Sequence, residues 1–242
     1  MRTQQEEPLA AILEEFRAVG GRFVVPIEEL AQKFAACRAV VFDWDGVFNA
    51  GRKGNVRESD FTEPDSMGTN MLRYGLWRKL GAMPYTAIIS GENNDTAIRF
   101  AEREHLTDVY TAIQNKRLVI EHLCSNEGLE PAQVACVFDD INDLSMAEIC
   151  GLRLMVRRDA SPMLADYVAR RSLCDYISGA DSSGYAVREI CELLLGLEGV
   201  FDQLLDSRVA FDDDYRTYFR QRQTVDTRRL NQFDDAISTM KN

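Results

Sequence analysis

Histidine is scarce in this chain, and the cysteines are not spaced as metal ligands. Only His105 and His122 occur among 242 residues, and the six cysteines, at 37, 124, 136, 150, 174 and 191, form no Cys-x-x-Cys pair. A zinc site is therefore not expected. Several of the cysteines lie inside apolar runs and read as small core residues, and both histidines read as surface or packing residues. No apolar run is long enough for a membrane helix, and the N-terminal stretch Met-Arg-Thr-Gln-Gln-Glu-Glu lacks the character of a signal peptide. A cytoplasmic location is expected, with no membrane partner. Basic charge is also short: the formal net charge is -11 and the sequence pI about 4.8. That balance speaks against a nucleic-acid partner, although a bound cation can still draw an anionic ligand to an acidic protein. No repeat or low-complexity segment is present. Apolar residues make up 45% of the chain, enough for a core.

The most informative stretch is Ala39-Val40-Val41-Phe42-Asp43-Trp44-Asp45-Gly46-Val47. Its apolar beginning fits a strand buried on both faces. Two aspartates and a glycine then end the run, which places carboxylates at the edge where ligands bind in open parallel sheets. Strand alternation puts Asp43 and Asp45 on one side and Trp44 on the other. Two such carboxylates repel unless a cation or proton intervenes, so the pattern suggests a divalent-metal site, with Mg²⁺ suited to oxygen ligands. The competing reading is an Asp-Gly turn.

Along the rest of the chain, helical spacing of Leu9, Ile12, Leu13 and Phe16 predicts a helix over residues 8–19, and Pro26 opens a second. Residues 48–56, with two glycines and two asparagines, suggest a β-hairpin. Asp65 or Ser66 is a candidate cap for a helix reaching Leu80, and Asn93 or Asn94 for the next. Tyr85 to Ile89, Asp108 to Tyr110, Val134 to Phe138 and Leu152 to Val156 read as strands, with helices beginning near Asn115-Lys116 and running through Val187 to Leu194. Strands alternating with helices predict an α/β fold with a Rossmann-like parallel sheet flanked by helices. Beyond Val200 there is neither Gly nor Pro, and the tail reads as one or two helices or a partly disordered arm. The expected organisation is an N-terminal helical extension over 1–37, a main domain over 38–199 and a C-terminal tail over 200–242.

Asp43-x-Asp45, Ser90-Gly91, Lys116 and Asp139-Asp140-x-x-Asp143 stand in this order at strand or helix ends. Together they resemble the haloacid dehalogenase superfamily of phosphatases, over residues 38–195. Asp45-Gly46-Val47, Gln114-Asn115-Lys116, Asp139-Asp140, Ser161-Pro162, Ala165-Asp166-Tyr167-Val168 and Ala186-Val187-Arg188-Glu189 are most similar to its capless members, typified by 3-deoxy-D-manno-octulosonate 8-phosphate phosphatase. The two intervals in which large caps insert are filled here by ordinary sheet elements and the hairpin, so a hairpin flap and no large cap domain are expected.

The resemblance implies a Mg²⁺-dependent phosphomonoesterase acting on a small phosphorylated metabolite, a sugar or sugar-acid phosphate first. Asp43 would be the nucleophile, forming an aspartyl-phosphate, and Asp45 the general acid and base. Asp43, Asp139 and the Asp45 backbone carbonyl would hold the metal. Ser90, Gly91 and Lys116 would bind the phosphate, with Asp140 and Asp143 supporting the metal or orienting Lys116. The capless relatives tetramerise, which implies a homotetramer with residues 49–60 near an interface and with Phe48, Val56 and Phe61 giving the hairpin exposed apolar surface. The chain departs from the family pattern at Phe138, where the superfamily usually has Gly, at Glu92, where the octulosonate enzymes carry Arg, and at Ser182-Ser183-Gly184-Tyr185, where they read Gly-Gly-Arg-Gly. Glu92 and Arg188 are the specificity candidates. The alternatives are a phosphatase of another metabolite class, such as a nucleotide, and a scaffolding or regulatory protein that keeps the fold with little turnover.

Overall fold

The structure, a computed structural model, describes residues 6–52, 60–234 and 236–240. The chain begins with α1 (Glu6–Ala18), β1 (Arg22–Phe23), α2 (Ile27–Ala36) and β2 (Ala39–Asp43). It continues with α3 (Glu63–Leu80), β3 (Tyr85–Ile89), α4 (Asp95–Arg103), β4 (Asp108–Thr111) and α5 (Lys116–Glu127). Then come β5 (Val134–Phe138), α6 (Leu144–Ala147), β6 (Leu152–Arg157), α7 (Pro162–Arg170), β7 (Tyr176–Asp181) and α8 (Ala186–Leu197). The last elements are α9 (Phe201–Ala210), α10 (Asp213–Arg222), β8 (Arg228–Phe233) and β9 (Ala236–Thr239).

Among the described residues the strands form one sheet in the order β1-β7-β6-β5-β2-β3-β4-β8-β9. All neighbours are parallel except the two outermost pairs, β1 with β7 and β8 with β9. The expected α/β parallel sheet is therefore present, with strands the sequence reading did not include. β7 carries a glycine in its centre and β8 reads Arg-Arg-Leu-Asn-Gln-Phe, so neither shows the apolar run or alternation that marks a strand. The residues after Val200 are two helices and a hairpin, with β8 in parallel register along β4 from Asp108↔Arg228 to Thr111↔Asn231. The reading of this stretch as helix or arm omitted the hairpin.

β2 is buried at all five positions. Val40 and Phe42 face one apolar layer, with α3 and α8, while Ala39 and Val41 face the other, with α5. The α3 start differs from expectation: Thr62 is the cap, its hydroxyl accepting from the Asp65 N–H at 3.3 Å with a proline in the first turn, and Asp65 is fully buried inside the helix. Asn94 and Asn115 cap α4 and α5. Of the expected hairpin over 48–56, residues 53–56, Val56 included, lie outside the described residues, and residues 48–52 form no strand, only an isolated bridge between Asn49 and Asp45. Phe48, expected on its surface, is fully buried: it stacks on Trp44 at 5.1 Å between centroids and meets Phe100 at 4.8 Å. Phe61 is half-buried against Phe100. Removing such rings from water is worth about 1.5–3 kcal/mol each, which outweighs leaving them on a flap. Among the described residues no helix is long and apolar enough to cross a membrane.

Candidate active site

From β2 the chain winds outward through β3 and β4, then returns to the other side of β2 and continues through β5, β6 and β7. The C-terminal end of β2 is thus the point where strand order reverses, and a crevice opens there. A cavity of about 380 Å³ occupies it, lined by Asp43, Asp45, Gly91, Glu92, Gln114, Lys116, Asp139, Asp140, Asn142, Asp143 and Arg158, among others.

Asp43 is the last residue of β2 and is buried. The chain then turns tightly, with the Gly46 N–H donating to the Asn49 carbonyl at 3.0 Å and the Phe48 N–H to the Trp44 carbonyl at 3.1 Å. Gly46 has φ +94°, and a Cβ there would lie 2.1 Å from Asp139 Oδ2. Glycine is therefore required twice over, for the backbone and for the carboxylate beside it. Asp45 lines the cavity, half-buried.

Lys116 is the first residue of α5, placed by the Asn115 cap. A cation there opposes the helix dipole, and burial opposes its charge as well. Both costs are offset by two carboxylates, since Nζ donates to Asp43 Oδ1 and to Asp143 Oδ1. Burial would depress the ammonium, but Asp43 and Asp143 together raise it above its ordinary value. Asp143 also shapes the backbone. Its Oδ2 accepts the Asp139 and Asp140 N–H groups at 3.2 and 3.1 Å, capping the turn after β5. Asp140 in turn accepts the Ile141 N–H at 2.7 Å.

The carboxylates of Asp43, Asp139 and Asp143 come within 4.8 Å of one another, all buried. Burial raises Asp43 well above the usual carboxylate range, with Lys116 pulling the other way and Asp143 and Asp139 adding to the rise. Burial, then Asp143, pushes Asp139 up to about 6, against the pull of Arg158. Three crowded acids with oxygen donors are the donor set a hard divalent cation takes, so these residues fit such an ion.

Ser90, buried at the end of β3, turns its hydroxyl to the Glu92 N–H at 3.3 Å, and the cavity wall there is Gly91 and Glu92. The loops after β3 and β4 are laced together by Ile113 N–H to Ser90 carbonyl and Ala112 N–H to Glu92 carbonyl, both at 3.1 Å. Arg188 is not brought to the cavity. It lies on α8, paired with Glu192 at 2.5 Å, and lines a separate groove. Among the cavity residues that the sequence reading did not single out, the charged one is Arg158, whose guanidinium donates to Asp139 Oδ2. Its signal is position alone, one residue beyond β6, at the same sheet edge as the aspartates.

No protein-family model matches this chain. Over 173 residues it is 32% identical to the 3-deoxy-D-manno-octulosonate 8-phosphate phosphatase KdsC of Escherichia coli K12, a match spanning 69% of this chain and 83% of that protein. The chain belongs to this phosphatase family of the haloacid dehalogenase superfamily. Among solved structures, the family's Yersinia pestis phosphatase superposes with a TM-score of 0.60 at 26% identity, over 72% of this chain and 89% of that one. The Moraxella catarrhalis phosphatase, solved with magnesium, phosphate and the octulosonate sugar, shares the fold with a TM-score of 0.63 at 23% identity, over 75% of this chain and 99% of that one.

Proposed function

We propose that this phosphatase is a Mg²⁺-dependent phosphomonoesterase that works through an aspartyl-phosphate on Asp43 and takes a small phosphorylated metabolite. The observation that carries this is the Lys116 ammonium, shared between Asp43 and Asp143 inside a buried carboxylate cluster at the strand-order reversal. A divalent ion held by Asp43, Asp139 and the Asp45 carbonyl would screen the carboxylates from each other and from the phosphoryl dianion. Asp43 attacks phosphorus while Asp45 gives a proton to the departing alcohol oxygen, so the P–O ester bond breaks as the P–O bond to Asp43 forms. Asp45, now a carboxylate, takes a proton from water, which attacks the aspartyl-phosphate and releases inorganic phosphate. Lys116 keeps Asp43 aimed and stabilises charge on the transferred group, and the Gly91 amide and Ser90 hydroxyl are the further phosphate donors. Glu92 in the wall disfavours a substrate carboxylate facing it, so neutral sugar phosphates are favoured over the octulosonate phosphate.

A panel of phosphorylated sugars, sugar acids and nucleotides, assayed with Mg²⁺ and with a chelator, tests the reading. Hydrolysis of none of them would overturn it. Asp43→Asn should lower turnover roughly a thousandfold or more without loss of thermal stability, because it removes one charge from a crowded cluster. Near-parental turnover in that variant would remove Asp43 as nucleophile. The assembly within this reading is a homotetramer, supported by the family resemblance and by exposed Ile141 and Met163 on the segments that follow β5 and β6. Light scattering of a fully active monomer would exclude it.

A further inference from the structure

The hairpin β8–β9 lies beyond residues 38–195, the stretch that carries the family motifs, yet it reaches the candidate active site. β4 ends at Thr111, opposite Asn231 of β8. There the β4 chain bends away through Ala112, a non-glycine residue at φ +55°, a strained conformation that its neighbours must hold. β8 continues past the bend, and the side chain of Gln232 turns back onto it. Its Oε1 accepts the N–H groups of Gln114 and Asn115 at 2.9 and 3.1 Å. The amide cannot be reversed without loss, because Nε2 donates to the Asp234 carbonyl at 2.7 Å.

Those two N–H groups stand immediately before Lys116. Gln114 lines the cavity, and Asn115 caps α5. The hairpin itself is fixed to the sheet: Arg228 donates to the buried Asp108 at 2.6 and 2.9 Å, and Leu230 is buried in the core layer that includes α5. A rigid strand thus carries an acceptor to the strained turn from which Lys116 projects to Asp43.

We infer that Gln232 is a positioning residue for catalysis, fixing the 112–115 turn and through it the aim of Lys116. This rests on the proposed role of Lys116 at Asp43. Because Lys116 acts on the nucleophile and the transferred phosphoryl group, loosening it lowers kcat more than it raises KM. A displacement of 1 Å at a catalytic group costs about a hundredfold, so a partial loosening is expected to cost roughly tenfold.

The test compares the full chain with Gln232→Ala and Gln232→Glu, the second of which keeps an acceptor for both amides. Amide hydrogen exchange is followed by mass spectrometry in peptides covering 112–118, thermal melting is recorded, and kcat and KM are measured on p-nitrophenyl phosphate with saturating Mg²⁺. In Gln232→Ala, exchange in 112–118 should accelerate and kcat should fall with KM and melting temperature nearly unchanged. Gln232→Glu should restore most of both. Unchanged exchange, unchanged kcat, an equal loss in the glutamate variant, or a loss that tracks a lower melting temperature would each overturn the assignment. If the parent hydrolyses no phosphomonoester, the functional reading fails on its own, and the exchange measurement still decides whether Gln232 holds the turn.

Discussion

Arg158 stands where a metal-bound carboxylate would need its oxygen free. Its guanidinium donates to Asp139 Oδ2, the oxygen that also crowds Gly46. The side chain is about one-third exposed, 35%, so it can leave Asp139 for solvent or for a substrate anion without a large burial cost. It is a cation that tempers the carboxylate cluster, as a divalent ion held there would do more strongly. Arg158→Ala is expected to bind Mg²⁺ several-fold more tightly than the parent, because the ion no longer displaces a guanidinium, and to raise KM for an anionic substrate. Titration calorimetry with Mg²⁺ measures the first directly. Equal Mg²⁺ affinity in the two proteins would show that Arg158 does not compete at Asp139.

The elements that aim the site are joined through buried polar contacts. Asp108, at the start of β4 and fully buried, accepts from Tyr85 at 2.5 Å, from Tyr110 at 3.0 Å and from Arg228 of β8. The Tyr110 hydroxyl also meets His122 Nδ1 of α5 at 3.1 Å, so β3, β4, α5 and β8 share one network. Burial lowers the His122 pKa below its ordinary 6.5, with the Asp108 charge opposing. The unfolded chain therefore binds more protons here than the folded one as pH falls. The stability this group contributes is complete above its unfolded pKa and is lost as pH drops through that value toward the lower folded one. His122→Gln should make stability fall less than in the parent between roughly pH 7 and pH 5. Urea denaturation of both proteins across that range measures the difference, in which the raised carboxylates of the site, acting in the opposite sense, cancel. Parallel curves would remove His122 from the pH response.

At the scale of the whole molecule, the C-terminal helix α10 is fastened by charge buried against α3 and the end of α4. Arg73, almost fully buried, donates to the Glu104 and His105 carbonyls. Glu104, also buried, accepts from Ser66 at 2.8 Å and pairs with Arg222 of α10 at 3.7 Å. Asn70 meets Tyr215 at 3.1 Å and Tyr218 at 3.0 Å. Removing one partner of such a buried cluster costs about 3–5 kcal/mol, far more than the intact pair contributes over an apolar substitute. Glu104→Ala should lose stability on that scale, with faster hydrogen exchange along α10, while Glu104→Gln should lose less. A change below about 1 kcal/mol, the size of a surface pair, would mean that the Glu104–Arg222 pair does not fasten α10.

The sequence by itself determined what depends on near neighbours. The apolar run before Asp43 makes a central strand because its side chains alternate between two apolar layers. Asn94 and Asn115 mark helix starts because a short polar side chain satisfies N–H groups two or three residues on. Hence Asp43, Lys116, Asp139 and Asp143 could be placed at strand and helix ends, and their convergence on one cavity follows from the parallel winding of the sheet. Tertiary structure decided the rest, where partners are distant in sequence. Arg158 joins Asp139 only because β6 lies beside β5. Arg188, four residues from Glu192, pairs with it on α8 and lines a groove separate from the cavity, because α8 packs against α3 and does not border the strand ends. Phe48 is interior because Trp44 and Phe100 close over it. The polar strand β8 exists because β4 offers it an open edge and Asp108 offers Arg228 a buried carboxylate, a pairing across 120 residues that no local pattern encodes.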